Sequence, residues 1–372
     1  MRGSSGRLQA INKLMESNKY CVIMAGGVGI RFWPLSRQSM PKQFLDILGT
    51  GKSFIRMTFE RFARIVPPEN FLVVTNAAYR DLVLQHIPEL APEQILCEPV
   101  GRNTAPCIAY AAFRLMAKDP DGVMIVAPSD HLILDERSFV TSISECVDFA
   151  SSSHTMMTIG IAPTRPDTGY GYIQVNDRNA IGKVKTFTEK PNEQMARAFI
   201  ASGEFFWNSG IFVWEVRTIM EAFRKHLPEL YAQFSAHADS FGTQAEDAVI
   251  ENIYPECRAV SIDYGVIEKA DNVYVRPSSF GWSDMGTWHS LYQTLGKDGN
   301  ENAVNSDIAF AEDTSGCLVR MPEGKLALIE GLKDYIVVDT DDVLLVCPRQ
   351  REDDIKQFTM RLKMDEKGGS YL

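Results

Sequence analysis

The charged side chains that follow short apolar runs in this chain are of the types that grip a polyphosphate. Tyr20–Ala25 reads as a strand and runs directly into Gly26-Gly27-Val28-Gly29-Ile30-Arg31, with Lys42 following Pro41. Glycines let a backbone approach a ligand closely and aim its N–H groups at an anion. A plain turn accounts for the glycines equally well. Arg31 and Lys42 favour the anion, because two cations after such a loop suit a polyphosphate. The dinucleotide fingerprint is not met, since Phe32 stands where its third glycine belongs and Pro34 opposes an immediate helix. An NAD-linked oxidoreductase is thereby excluded. Gly49–Ser53 (GTGKS) imitates a Walker loop, but Asp46 occupies the position of its first glycine. It reads as a turn, with Ser53 capping a helix.

Carboxylates follow other runs. VMIVAP ends in Ser129-Asp130-His131, and Trp282-Ser283-Asp284-Met285-Gly286 precedes a helical stretch. Asp130 is either a Mg2+ ligand, since Mg2+ takes a few oxygens plus phosphate, or a turn or cap residue. Asp284 is a metal ligand or the cap of the helix that follows. Phe187-Thr188-Glu189-Lys190-Pro191 is a solvated strand edge, or it gives Glu189 to sugar hydroxyls and Lys190 to a phosphate. Asn208 is a turn residue or a sugar contact. In Glu98–Pro106 (EPVGRNTAP), Thr104 can cap a helix with Pro106 in its first turn, which leaves Glu98, Arg102 and Asn103 in the same loop unexplained. The aromatic clusters at Phe205–Trp207 and Trp282–Trp288 read as core. The six histidines show no ligand spacing, and no serine or cysteine sits in a nucleophile motif.

The elements that must position these groups alternate. YCVIMA, FLVVT, QILCEP and VMIVAPSD read as strands, and SFIRMTFERFARIV, AAYRDLVLQHI and APCIAYAAFRLMAK as amphipathic helices between them. Uniformly apolar strands with helical crossovers predict a mostly parallel sheet buried on both faces, with ligands beyond the strands' carboxyl ends. From Thr155 to about Gly296, MMTIGIA, YGYIQV, KVKTFTEKP, FFWNSGIFVWEV and VYVRPS continue that sheet. Beyond it, GCLVRMP, KLALIEG, DYIVVDT and DVLLVCP predict a small β-rich unit with tight turns, closed by a helix at REDDIKQFTMRLKM. The expected division is an N-terminal extension at 1–18, an α/β domain at 19–296 and the β-rich domain at 297–372.

Acids outnumber bases 48 to 38, a net charge of −10 that argues against nucleic acid and anionic membranes as partners. No apolar run is long enough to span a bilayer, and the first residues lack the apolar core of a signal peptide. Met1–Arg7 reads as the scar of an expression tag, with Met15 a natural start. Seven scattered cysteines without a CxxC fit buried thiols in a cytoplasmic setting.

AGGVGIRFWPLSR…PKQF, EPVGRNTAP, PSDH, TGYGYI, FTEKP, NSGIF, SIDYGVIEK and WSDMGTW occur in this order from Ala25 to Trp288. Together they resemble the bacterial mannose-1-phosphate guanylyltransferases, a family of sugar-phosphate nucleotidylyltransferases, and the likeness continues through GLKDYIVVDTDDVLLVCP. The resemblance implies a Rossmann-like, GT-A-like catalytic domain whose mostly parallel mixed sheet is flanked by helices. It implies GTP and mannose 1-phosphate as substrates, with Mg2+ as cofactor. By position, Gly26, Gly27 and Gly29 would wrap the nucleotide phosphates. Arg31 would hold the departing β- and γ-phosphates, and Lys42 would steady charge at the α-phosphate. Asp130 and Asp284 match the metal ligands. Glu98, Arg102, Asn103 and Thr104 fall in the base-binding loop. Gly171, Glu189 and Asn208 match sugar contacts, and Lys190 the sugar-phosphate lysine. Ile30 departs from the small or hydroxylated residue usual there. The chain stops before the isomerase-like extension of longer relatives, so a single activity is expected.

The expected reaction is in-line attack of the sugar phosphate on the α-phosphorus, which needs positioning and relief of anion repulsion rather than a strong base. Glu98 is a physical candidate for base choice, because a carboxylate accepts the adjacent N1–H and N2–H donors of guanine together. The alternatives are the same fold with another sugar and nucleotide, or a regulatory protein that binds a nucleotide sugar without turnover. The β-rich unit is the expected surface for a homodimer.

Overall fold

The computed structural model describes residues 18–178, 180–305 and 309–372. Met1–Arg7 and Met15, with nearly all of the extension expected at 1–18, fall outside the described residues. The chain divides into two compact units. One comprises 18–26, 58–129 and 133–282; the other comprises 27–57, 130–132 and 283–372.

Among the described residues of the first unit, ten strands make one sheet. Its order is Ile95–Glu98, Phe71–Asn76, Lys19–Ala25, Val123–Pro128, Phe205–Glu215, Met156–Ile161, Val273–Ser278 and Gly182–Lys183, with Tyr172–Gln174 and Thr186–Thr188 branching from Phe205–Glu215. The first four strands run parallel. Phe205–Glu215 is antiparallel to both of its long neighbours. The uniformly apolar runs are buried as expected: Cys21, Val22, Ile23, Met124, Ile125 and Val126 have no accessible surface. Helix Thr104–Lys118 lays Ala105, Ile108, Ala109 and Ala112 against this sheet's core and packs Tyr110 and Phe113 among Phe234, Phe241 and Tyr254. Each such buried large side chain contributes roughly 1.5–3 kcal/mol.

Two helix starts differ from expectation. Asn103, with φ 68°, occupies the cap position of Thr104–Lys118, and its side chain accepts from the Thr104 N–H at 2.8 Å. Thr104 is left free to bond elsewhere, and its hydroxyl accepts the backbone N–H of Ile262 at 2.8 Å. Helix Trp288–Thr294 is capped by Thr287 rather than Asp284. Ser53 does stand before helix Phe54–Phe62, and its hydroxyl accepts from the Arg56 N–H at 3.4 Å.

The second unit has its own core around Phe32, Phe54, Trp288, Leu318 and Ile336. Strands Ala303–Asn305, Leu318–Arg320 and Tyr335–Asp339 stack in parallel, as do Ala309–Glu312 and Ala327–Glu330; Leu344–Pro348 returns antiparallel. The chain therefore coils upward in this unit instead of folding back through the tight turns expected. Such coils are held by their neighbours alone. Asn302 locks one of them: fully buried, it accepts from the Cys317 N–H at 3.0 Å and donates to the Thr314 carbonyl at 2.9 Å.

Asn302→Ala leaves a buried donor and a buried acceptor unpaired, at about 1–3 kcal/mol each. The expected outcome is a lowered thermal midpoint for the β-rich unit, read by differential scanning calorimetry; an unchanged midpoint would show that neither bond matters.

Candidate functional site

The cations and carboxylates expected to handle phosphate gather in the second unit. Gly29, at φ 74°, opens a single 3-10 turn, Ile30–Phe32, which Pro34 keeps from extending. A Cβ on Gly29 would overlap the Cβ of Lys42, so only glycine allows the two segments to lie so close. The Lys42 N–H donates to the Val28 carbonyl at 3.1 Å. The Lys42 side chain is 4% exposed, and its ammonium donates to Asp130 Oδ2 and to the Asp284 carbonyl, each at 2.8 Å. The rings of Phe32 and Phe54 lie 5.7 and 5.2 Å from it. Burial pushes the Asp130 carboxyl up, but the Lys42 ammonium, His131 and the hydrogen bond outweigh burial and hold it below the usual carboxylate range.

Arg31, Lys42, Asp130 and Asp284 line one cavity of about 320 Å³ with Gly29, Ile30, His131, Gly286 and Lys356. Arg31 Nε is buried and has no hydrogen-bond partner among the described residues. Asp284 Oδ1 accepts the Gly286 N–H at 3.1 Å, and a side chain at 286 would strike that carboxylate. The set fits a hard divalent cation through the two carboxylates that share this cavity. Mg2+ is bound in that way, through one or two carboxylates with water and phosphate completing its shell.

Two further clusters lie in the first unit. Strand Ile95–Glu98 ends in Glu98, which is 5% exposed. Burial raises its carboxyl to about 7, against the opposing bond from the Tyr254 hydroxyl to Oε1. Its Oε2 lies 3.1 Å from where a side chain on Gly26 would begin. Arg102 donates to the Pro255 carbonyl, so Arg102, Asn103 and Thr104 all shape this loop through backbone contacts. Gly27 has open space at its α-carbon.

The other cluster forms where strand Phe205–Glu215 bulges between Asn208 and Phe212, with Gly210 at φ 71°. The bulge turns Asn208 so that it accepts from Thr158 Oγ1 at 3.0 Å and donates to Asp263 Oδ1 at 2.9 Å. Gly171 sits so close to Glu189 and Asn208 that a Cβ would collide with Glu189 and crowd Asn208. Glu189 Oε1 pairs with Lys190 at 2.8 Å; Glu189 is buried and Lys190 is largely exposed. Asp263 is buried. Burial first and then the nearby Glu189 raise its carboxyl to about 7, against bonds that include the one from Asn208. Asp263, Tyr254 and Lys356 escape the sequence reading. Asp263 had a signal, an acid inside the apolar stretch from Ile262 to Ile267; the other two had none.

The Asp130 carboxylate contributes stability above its unfolded pKa of about 4, and that contribution is lost as pH falls through the depressed folded value. In Lys42→Met burial loses its main opponent, and the Asp130 carboxyl should titrate higher than in the native chain. Carboxyl ¹³C NMR reads this directly; an unshifted titration would show that His131, not Lys42, sets it.

Residues 20–301 match the nucleotidyl transferase family model, and 310–362 match the MannoseP isomerase/GMP-like beta-helix domain. The chain is 36% identical to the alginate biosynthesis protein AlgA of Pseudomonas aeruginosa over 92% of its own length and 71% of that protein's. It is 35% identical to a mannose-1-phosphate guanylyltransferase of Salmonella montevideo over 93% and 74%. A crystal structure from Thermus thermophilus, described as a mannose-1-phosphate geranyltransferase, superposes with a TM-score of 0.84 at 32% identity and covers 93% of this chain and 99% of that one.

Proposed function

Because the chain belongs to the nucleotidyl transferase family, we propose that it transfers GMP from GTP to α-D-mannose 1-phosphate, yielding GDP-mannose and pyrophosphate. The observation that carries this reading is the shared cavity of Arg31, Lys42, Asp130 and Asp284. Relatives named mannose-1-phosphate guanylyltransferase support the choice of substrates.

A phosphate oxygen of the sugar phosphate attacks the α-phosphorus of GTP in line. One P–O bond forms as the bond from the α-phosphorus to the bridging oxygen breaks, and pyrophosphate departs with that electron pair. The nucleophile is already an anion, so what the chain must do is place two anions together. Lys42, held rigid by its buried partners, steadies charge at the α-phosphate. Arg31 takes the β- and γ-phosphates, whose oxygens satisfy its buried Nε. Asp130 and Asp284 would hold Mg2+, which would supply neutralisation of charge on the phosphates. Gly26, Gly27 and Gly29 keep side chains away from the triphosphate. Lys190 binds the sugar phosphate, and Glu189 and Asn208 bind sugar hydroxyls, with Gly171 giving the ring room. No covalent intermediate forms.

Glu98 reads guanine through Oε2, beside Gly26, while Tyr254 fixes Oε1; Arg102, Asn103 and Thr104 hold the loop. Seven cysteines without a disulfide support a cytoplasmic setting, and no helix among the described residues is long and apolar enough to cross a membrane. On the terminal edge strand Leu344 and Val346 face solvent while Leu345 and Cys347 are buried, an apolar edge that supports pairing of two chains.

Pyrophosphate release should be largest for GTP with mannose 1-phosphate when GTP, ATP, UTP and dTTP are crossed with mannose 1-phosphate and glucose 1-phosphate, and it should stop when Mg2+ is omitted. Release from another pair would move the assignment of base and sugar. Silence with nucleotide sugar still bound would make the chain a regulatory sensor. Glu98→Gln should lower the preference for GTP by about tenfold or more, since a site built on buried hydrogen bonds discriminates through them. Glu98 must be ionised to accept both guanine donors, so the KM for GTP should rise as pH falls through about 7 in the native chain and stay flat in Glu98→Gln. An unchanged nucleotide preference would remove Glu98 from base recognition.

A further inference from the structure

One cation on the wall of the phosphate cavity has no part in the reaction as described. Lys356 lies in helix Asp354–Met364, well over three hundred residues from the glycine loop in sequence, yet lines the same cavity as Gly29, Arg31 and Lys42. Its position is set by its neighbours. Ile355 and Thr359 are buried in the second unit's interior. The Glu352 carboxylate, one turn before, accepts the backbone N–H of His289 at 2.8 Å. The helix lies against the 3-10 turn that carries Arg31, and Trp33 beside that turn donates to the Tyr371 carbonyl at 2.7 Å.

The charges around it are unevenly matched. Lys42 claims Asp130, and the Glu352 carboxylate, which feels the charge of Arg31, is engaged by the His289 N–H. The Lys356 ammonium forms no ion pair or hydrogen bond with any described residue, and Arg31 Nε is buried without an acceptor. Two under-matched cations lining one cavity repel each other unless an anion lies between them. A compact, multiply charged anion with oxygens on several sides satisfies a guanidinium and an ammonium together, the first as a planar fork and the second as a point charge.

We propose that Lys356 binds the outgoing pyrophosphate jointly with Arg31, so that the helix closing the β-rich unit supplies a substrate-binding residue to the phosphate cavity. The proposal rests on the nucleotidyl-transfer reading. Removing the charge weakens the grip on the β- and γ-phosphates and leaves the sugar and base contacts untouched, since those residues belong to other clusters.

The test runs the reaction in reverse, from GDP-mannose and pyrophosphate, with the full chain. K356M should raise the KM for pyrophosphate about tenfold while the KM for GDP-mannose holds, and K356R should restore most of the loss, as a charge role demands. Equal rises in both KM values, or no rescue by arginine, would mark a structural role and overturn the proposal. So would a pyrophosphate KM unchanged in K356M. Calorimetric titration of the native chain and K356M with magnesium pyrophosphate gives a readout that does not need turnover. Weaker binding by the variant supports the assignment and equal binding overturns it. A native chain inactive on every substrate pair would overturn the nucleotidyl-transfer reading and leave calorimetry to decide the role of Lys356.

Discussion

A single buried ammonium organises the cavity lined by Arg31, Asp130 and Asp284. Lys42 is almost wholly withdrawn from water, and a charge so placed costs several kcal/mol unless partners replace its hydration. Its three N–H groups meet the Asp130 carboxylate and the Asp284 carbonyl, and the aromatic faces of Phe32 and Phe54 take up much of the remainder. These partners come from four separated stretches of chain. Whatever displaces Lys42 therefore loosens the glycine turn, the segment after strand Val123–Pro128 and the loop before Trp288 together. Gly29 belongs to the same constraint, because its missing Cβ lets the lysine backbone dock on Val28.

The cluster around Asn208 uses burial differently. Where Lys42 and Asp130 are opposite charges that lower each other's cost, Asp263 and Glu189 are like charges in a poorly hydrated place. One way to relieve them is a proton; another is a ring of donors. Asn208 supplies a donor to Asp263, and Lys190 supplies a cation to Glu189. Polyhydroxylated ligands bring their own donors to acceptors of this sort. The bulge in strand Phe205–Glu215 is what makes the arrangement possible, since a regular strand would alternate its side chains past that point.

The sheet and its crossover helices were legible because uniformly apolar strands and amphipathic helices announce themselves through period and length. The parallel coils of the second unit were not, because short alternating strands read the same whether the chain turns back or climbs. That Arg31, Lys42, Asp130 and Asp284 would share a cavity was legible only as residue types placed after strands. Their partners were harder to see: nothing in the neighbourhood of Tyr254 announces a bond to Glu98, which lies far away in sequence. Asp284 and Thr104 each read well as helix caps, and both caps fell to a neighbour, since a cap needs only a short polar side chain; Thr104 bonds instead to the distant Ile262 N–H, and Asp284 to the Gly286 N–H.

The second unit is threaded through the chain: residues 27–57 and 130–132 belong to it, yet most of it lies at 283–372. During synthesis the glycine loop emerges early, before the strands and helix that complete its surroundings exist. Most of the ten-stranded sheet can pair while the chain is growing, whereas the cavity around Arg31 can be completed only after helix Asp354–Met364 has left the ribosome. Closing contacts across so long a stretch is slow, because loop entropy is lost before any contact forms. A nascent chain thus carries Arg31, Lys42 and Asp130 for most of its synthesis before the cavity they line can be completed.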